Sequence, residues 1–177
     1  GERIELHPDD ARRLAIAVPS LAAGGAERAA SALAGHLARR GHRVTLITLS
    51  AARDDFYALD PRVERVALAQ LAPSANRWRA LFANRARIGA LRAVLRGSAC
   101  EALLSFTVSM NVLASFAARP LGVPCVLSER VDLRVHPLRA PWRALGRHAY
   151  RRAALVSANS AVVCSWLREW VGHERVC

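Results

Sequence analysis

Leu14-Ala15-Ile16-Ala17-Val18-Pro19-Ser20-Leu21-Ala22-Ala23-Gly24-Gly25-Ala26-Glu27-Arg28 decides how this chain is read. Its first five residues are uninterrupted apolar side chains, the pattern of a strand buried on both faces. From Ala29 to Arg40 the chain is rich in alanine and leucine, with Leu33 and Leu37 one helical turn apart. Gly41 stands where a helix ends and the backbone needs positive φ. Val44-Thr45-Leu46-Ile47-Thr48-Leu49 then reads as a second buried strand. Strand, glycine turn, helix, strand is the crossover that a parallel pair requires. The Gly24-Gly25 turn falls at the carboxyl end of the first strand, the edge where open α/β sheets bind ligands. Without Cβ atoms it could turn sharply and let a phosphate approach the start of the helix. The plainer reading, that it only shapes a tight connection, stands beside this one, because the full G-x-G-x-x-G spacing is absent.

Outward from this unit, 177 residues support one domain with a sizeable core. Residues 1–13 are a polar N-terminal segment without the apolar run of a secretory signal, and no stretch of sequence is apolar enough to span a bilayer. Cys100, Cys125, Cys164 and Cys177 are scattered without a C-x-x-C pair, so neither a metal cluster nor a disulfide framework is expected, and a cytoplasmic setting is. The formal charge is +12, and all 26 basic residues are arginine. Such a surface suits nucleic acid, anionic lipid or a phosphorylated substrate, and charge alone does not choose among them.

Along the chain, Ser50 to Pro61 is a polar connection, Val63 to Leu68 a short third strand, and Asn76 a helix-start signal. The helix from Arg77 to Arg96 carries Trp78, Leu81, Phe82, Ile88, Leu91 and Leu95 as an apolar stripe, and no acidic residue occurs between Arg65 and Cys100. Arg77, Arg85 and Arg92 lie off that stripe, so the helix can pack inward while its basic flank meets a polyanion or anionic headgroups. Glu101 to Phe106 reads as the fourth strand and Thr107 to Asn111 as the turn into the next helix. Cys125-Val126-Leu127 is the fifth strand, delivering Ser128, Glu129 and Arg130 to the same carboxyl edge as the glycine turn. Glu129 and Arg130 are site candidates by position, or simply partners of each other. Pro141 to Arg152 is a helix whose Arg143, Arg147 and Arg151 form a second basic face. Ala154 to Ala158 is a sixth strand, and Asn159-Ser160 caps a last helix. Strands and helices alternating throughout indicate α/β architecture: a doubly wound, Rossmann-like parallel sheet over residues 14–177.

Several of these residues together resemble the opening of a family 4 glycosyltransferase of the GT-B fold. They are Ser20-Leu21 with Gly24-Gly25-Ala26-Glu27-Arg28, Leu37 to Val44, Ser105-Phe106 with Asn111, Pro124 to Arg130 ending in Ser-Glu-Arg, and Tyr150-Arg151-Arg152-Ala153 leading to Ala158-Asn159-Ser160. The resemblance implies the N-terminal, acceptor-side half of a GT-B enzyme, with the C-terminal donor-binding domain absent and supplied by a longer chain or a partner chain. It implies retaining transfer of a sugar from a nucleotide-sugar donor to a hydroxyl of a lipid-linked or polysaccharide acceptor. Gly24, Gly25 and Ala26 would then lie against the donor diphosphate. Asn111, Ser128, Glu129 and Arg130 would line the acceptor side of the cleft, although Asn111 could equally cap its own helix. The Ser-Glu-Arg version is similar to a branch acting with N-acetylhexosamine-type donors, and Arg130 stands near where many relatives carry a histidine. No residue is assigned as catalytic. No cofactor or metal is expected, since amides, a helix start and arginines can stabilise a diphosphate leaving group. Peripheral contact with the inner face of the cell membrane is the expectation from the two basic helices. This half alone is expected not to turn over.

Two rival classes are weighed against this. A stand-alone basic α/β binding module would take nucleic acid or another anionic ligand without catalysis, yet the aromatics sit at core spacing and no nucleic-acid motif appears. A nicotinamide-dependent dehydrogenase would want an acidic residue ending the second strand, where Thr48-Leu49-Ser50-Ala51 stands instead.

Overall fold

In the computed structural model, which describes residues 11–71, 77–131, 140–172 and 176, six strands form one all-parallel sheet. The strands are β1 (Arg13–Val18), β2 (Arg43–Thr48), β3 (Glu64–Ala67), β4 (Ala102–Phe106), β5 (Cys125–Glu129) and β6 (Leu155–Ala158). Their spatial order is β3-β2-β1-β4-β5-β6, so the chain runs outward in one direction and then in the other from the β1–β4 seam. That seam is the topological switch point, and the doubly wound reading holds. The helices are α1 (Gly25–Arg39), α2 (Arg77–Gly97), α3 (Val108–Ala118), α4 (Ala140–Tyr150) and α5 (Ala161–Val171).

Alternation along β1 divides the core. Ile16 and Val18 join Val44, Leu46 and the Ala30, Ala34 and Ala38 seam of α1, whereas Ala15 and Ala17 face the side occupied by α2, α3, α4 and α5. On α1 the buried residues are thus three alanines and Gly35, with Leu33 and Leu37 flanking them half-buried. Small side chains let the helix lie close on the strands, and the leucines seal the margin. Gly41 takes φ 91° just past α1, the left-handed conformation expected of it.

The predicted stripe of α2 divides in two. Leu91 and Leu95 are buried and Ile88 packs beside them, but Leu81 and Phe82 are 52% and 69% exposed because the first turns of the helix outrun the sheet. The side chain of Trp78, the helix start at Asn76 and the connection from Asp132 to Arg139 lie outside the described residues. Arg92, expected on the free basic flank, is half-buried and donates to the carbonyl oxygens of Phe116 at 3.1 Å and Ala117 at 3.4 Å. Its guanidinium satisfies carbonyls that the end of α3 would leave open. Cys100, Cys125 and Cys164 are free and buried, and burial, with Cys100 close by, pushes the Cys125 thiol up to about 12. Among the described residues no helix is long and apolar enough to cross a membrane.

Candidate functional site

The carboxyl edge of the sheet carries the candidate site, and the loop after β1 forms its floor. Gly24 is extended (φ −171°, ψ 164°) and precedes α1 without any side-chain cap. Gly24 and Gly25 therefore do not serve to permit an unusual backbone angle, as a sharp turn would have required. Their use is space. A Cβ on Gly25 would meet nothing within 4 Å, while the position of a Cβ on Gly24 is taken by the carboxylate of Glu27, folded back over the helix start. The first-turn amides of α1 thus point past an uncluttered α-carbon, the arrangement that accepts an anion. Glu27 is the side chain that lies over this helix start, a favourable pairing with the helix dipole.

The connection between β2 and β3, read from sequence only as polar, is a second wall. Tyr57 donates its hydroxyl to the Gly24 carbonyl at 3.2 Å, and the Phe56 amide donates to the Leu21 carbonyl at 2.8 Å. Arg65 anchors this wall. It grips Asp55 through Nε and Nη2, both at 2.8 Å, and also donates to Thr48 Oγ1 at 2.7 Å and the Val66 carbonyl at 2.7 Å. Both members of the pair are largely buried, at 17% and 18% side-chain exposure, so this fork differs from a surface ion pair. Phe56 remains 69% exposed beside the glycine turn.

Across the switch point, β4 passes into α3 through one residue. Thr107 has φ 70° and ψ 144°, rare for a β-branched side chain, and α3 begins directly at Val108 where a longer turn was expected. The strained residue is held by its own amide on the Ser128 carbonyl at 3.1 Å and by its carbonyl accepting from the Asn111 amide at 2.8 Å. Strain concentrated where two strand ends diverge marks a site, and sequence gave no signal for it.

The Ser-Glu-Arg stretch behaves differently from the sequence expectation. Strand β5 runs on through Ser128 and Glu129, paired with Ser157 and Ala158 of β6, so only Arg130 reaches the edge. Glu129 is fully buried. Its Oε1 accepts from the amides of Arg130 at 2.9 Å and Val131 at 3.1 Å, and its Oε2 accepts from the Tyr150 hydroxyl at 2.6 Å. Asn111 is neither a helix cap nor a cleft side chain. Its amide donates to the Tyr150 hydroxyl at 2.8 Å and to the Ser128 carbonyl at 3.1 Å. Burial raises the Glu129 carboxyl above its usual range while the Tyr150 hydroxyl and the two amides oppose that rise. Burial, and then the charge of Glu129, hold the Tyr150 phenol well above its ordinary value, so it stays protonated and donates. What this cluster delivers to solvent is Arg130, whose guanidinium lies 5.7 Å from the centre of the Phe106 ring.

The predicted residues therefore sort in three. Gly24, Gly25 and Ala26 meet at the start of α1. Asn111, Ser128 and Glu129 come together as a buried support, with the half-buried Arg130 as its tip. Arg85 on α2, Arg143 and Arg147 on α4 and Arg151 just past the end of α4 are exposed, and the side chain of Arg77 lies outside the described residues. Tyr150 and Thr107 complete the site. Tyr150 could have been suspected from its place at the end of an amphipathic helix. Among the described residues no three His, Cys, Asp or Glu side chains converge as metal ligands would.

A six-stranded parallel sheet in this order, with an uncapped helix start at the switch point, is the Rossmann-like N-terminal domain of GT-B glycosyltransferases. The model of Glycosyltransferase Family 4 matches residues 23–177, and the chain belongs to that family. Among solved structures it is similar to the sucrose-phosphate synthase of Thermosynechococcus elongatus, with TM-score 0.70 and 14% identity over 94% of this chain and 47% of that one. It is similar to HepE of Anabaena in complex with UDP, with TM-score 0.62 and 16% identity over 93% of this chain and 42% of that one. It also resembles the UDP-N-acetylglucosamine 2-epimerase of Rickettsia bellii, with TM-score 0.63 and 11% identity over 93% and 44%. The chain spans about half the length of these proteins or less. No curated protein sequence matches it significantly.

Proposed function

We propose that this chain is the acceptor-side half of a retaining glycosyltransferase that moves a sugar from a nucleotide-sugar donor to a hydroxyl of a lipid-linked or polysaccharide acceptor. The observation that carries the reading is the start of α1. An uncapped helix N-terminus at the switch point, with open space beside Gly25, is what a donor diphosphate would contact when a second domain closes over the edge. HepE, solved with UDP, supplies the nucleotide analogy. Amides of residues 25–27 would disperse the charge of the leaving diphosphate without a metal. Arg130, held by the Glu129 clamp, would meet charge on donor or acceptor from the other side of the seam. The donor-binding half would come from a further domain or a partner chain, and the exposed Phe56, Leu81 and Phe82 are apolar surface for such a contact or for a membrane. On this reading the Ser-Glu-Arg motif supports a branch using N-acetylhexosamine-type donors, and the enzyme works at the inner face of the cell membrane.

The test is release of nucleoside diphosphate from a panel of nucleotide sugars. The 177-residue chain alone is expected to release none above background, and the same chain joined to a donor-binding half is expected to turn over. In that complete enzyme Gly25→Asp, which sets a carboxylate against the phosphate, should lower kcat/KM at least about 100-fold, the loss typical of removing electrostatic stabilisation of a leaving group. Turnover by the chain alone refutes the half-enzyme reading, and undiminished kcat/KM in Gly25→Asp refutes the role of the glycine turn.

A further inference from the structure

A second concavity lies elsewhere. It is a groove of about 1000 Å³ between α4 and α5, lined by Arg143, Arg147, Arg151, Arg152, His148 and Trp170. Arg143 and Arg147 stand four residues apart on α4, about 6 Å along its axis, and Arg151 and Arg152 follow directly past its end at Tyr150. Arg152 closes that end of the groove, its Nη1 2.9 Å from His148 Nδ1, and the half-buried Trp170 forms the opposite wall. Because α4 ends at Tyr150 and leads into the start of β6, the Arg151–Arg152 end of the groove lies at the amino edge of the sheet, opposite the Gly24-Gly25 turn.

Charge in this groove is unbalanced. Among the described residues no carboxylate pairs with any of the four arginines, and Glu169 on α5 is the one acidic side chain in residues 140–172. Two guanidiniums on α4 and two just past its end repel one another. Their common field is relieved by a multiply charged anion and by little else. The groove also has rigid walls. His148 stacks on Phe116 with ring centres 5.8 Å apart, and Trp170 stacks on Trp166 at 5.2 Å and meets Tyr150 edge-on at 5.6 Å. Burial and the neighbouring Arg152 and Arg119 hold the His148 imidazole below its usual pKa, so it adds no carboxylate-like counterweight and little positive charge at neutral pH. A planar fork such as guanidinium takes two oxygens of one phosphoryl group.

We propose that this groove is a binding site for a diphosphate or longer oligophosphate group, carried by a soluble molecule or by a lipid head. It is separate from the carboxyl-edge reading and stands whether or not that edge acts on a nucleotide sugar. Trp170 supplies the readout, since an anion in the groove lies against its indole.

Inorganic pyrophosphate is titrated into the protein in low salt while tryptophan emission is followed, with vesicles of neutral phosphatidylcholine containing about one third anionic phosphatidylglycerol as the second arm. Saturable change with pyrophosphate is expected, weakened at least tenfold in Arg147→Gln/Arg151→Gln and unchanged in Arg43→Gln, a control at the exposed start of β2. Both substituted arginines are exposed, and circular dichroism confirms the fold. If the protein also sediments with the anionic vesicles and pyrophosphate displaces it, the phosphate source is a lipid head. If pyrophosphate binds and the vesicles do not, the source is soluble. The proposal is overturned by no saturable response to pyrophosphate, by equal response in the double variant, by vesicle binding that pyrophosphate does not displace, or by an oligonucleotide that binds tenfold more tightly than pyrophosphate.

Discussion

Replacing Tyr150 by phenylalanine removes one oxygen from the interior and keeps the ring that packs against Trp170. That oxygen donates to Glu129 at 2.6 Å and accepts from Asn111 at 2.8 Å, and all three side chains are fully buried. Asn111 keeps its bond to the Ser128 carbonyl, so its loss is partial. Among the described residues Glu129 Oε2 has no second donor, and the substitution leaves it bare. A hydrogen bond to a charged group contributes about 1.5–3 kcal/mol, and an unsatisfied buried group costs about as much, so the variant should lose roughly 2–3 kcal/mol of unfolding free energy. The sign of its pH dependence follows from the same contacts. Burial raises the folded pKa of Glu129 above its unfolded value, and Tyr150 opposes that rise. A raised carboxyl contributes stability that is complete below the unfolded pKa, about 4.3, and is lost as pH rises through the folded pKa. Without the hydroxyl the folded pKa rises further, so the variant loses more on that climb. Urea unfolding of both proteins at pH 5 and pH 8 should show a larger gap at pH 8, with unchanged m-values. A gap below about 0.5 kcal/mol, or one that shrinks at high pH, would show that the hydroxyl does not hold the carboxylate.

Arg65→Ala breaks a two-pronged, mostly buried pair and strands Asp55, with an expected loss of about 3 kcal/mol by denaturant unfolding. Arg65→Lys should recover little of it, because an ammonium cannot repeat the fork. Gly41→Ala should cost about 1–2 kcal/mol in a thermal melt, since φ is 91° there. Gly24→Ala should cost under about 0.5 kcal/mol, because its φ suits any residue and the Glu27 carboxylate can swing away. Equal losses for these two glycines would contradict the reading that Gly24 supplies space rather than a strained turn. Arg92→Ala should lower stability by about 1 kcal/mol and leave vesicle or pyrophosphate binding unchanged, since its guanidinium is engaged on the end of α3.

Local pattern was enough for the framework. Continuous apolar runs of strand length, separated by helical periodicity and punctuated by Gly41 and Ser160, specify alternating strands and helices because those signals act over a few residues. The start of α1 was legible for the same reason: Gly24, Gly25 and Glu27 are neighbours in sequence and interact as neighbours in space. Gly122-Val123-Pro124 likewise marked the turn before β5, and Gly122 takes φ 68° there.

What sequence could not reveal depended on partners far along the chain. Glu129 looked like an edge residue until pairing with β6 carried β5 two residues further and enclosed it, and its decisive partner, Tyr150, lies 21 positions away. Arg92 has the composition of a solvent-facing arginine, and only the end of α3, packed 24 positions on, turns it inward. Leu81 and Phe82 repeat the periodicity of Leu91 and Leu95 but stand beyond the reach of the sheet. Periodicity reports which face a helix offers, whereas the length of the surface it meets decides how much of that face is covered. A side chain's exposure and the state of its charge are properties of what packs against it, and that is settled by the fold.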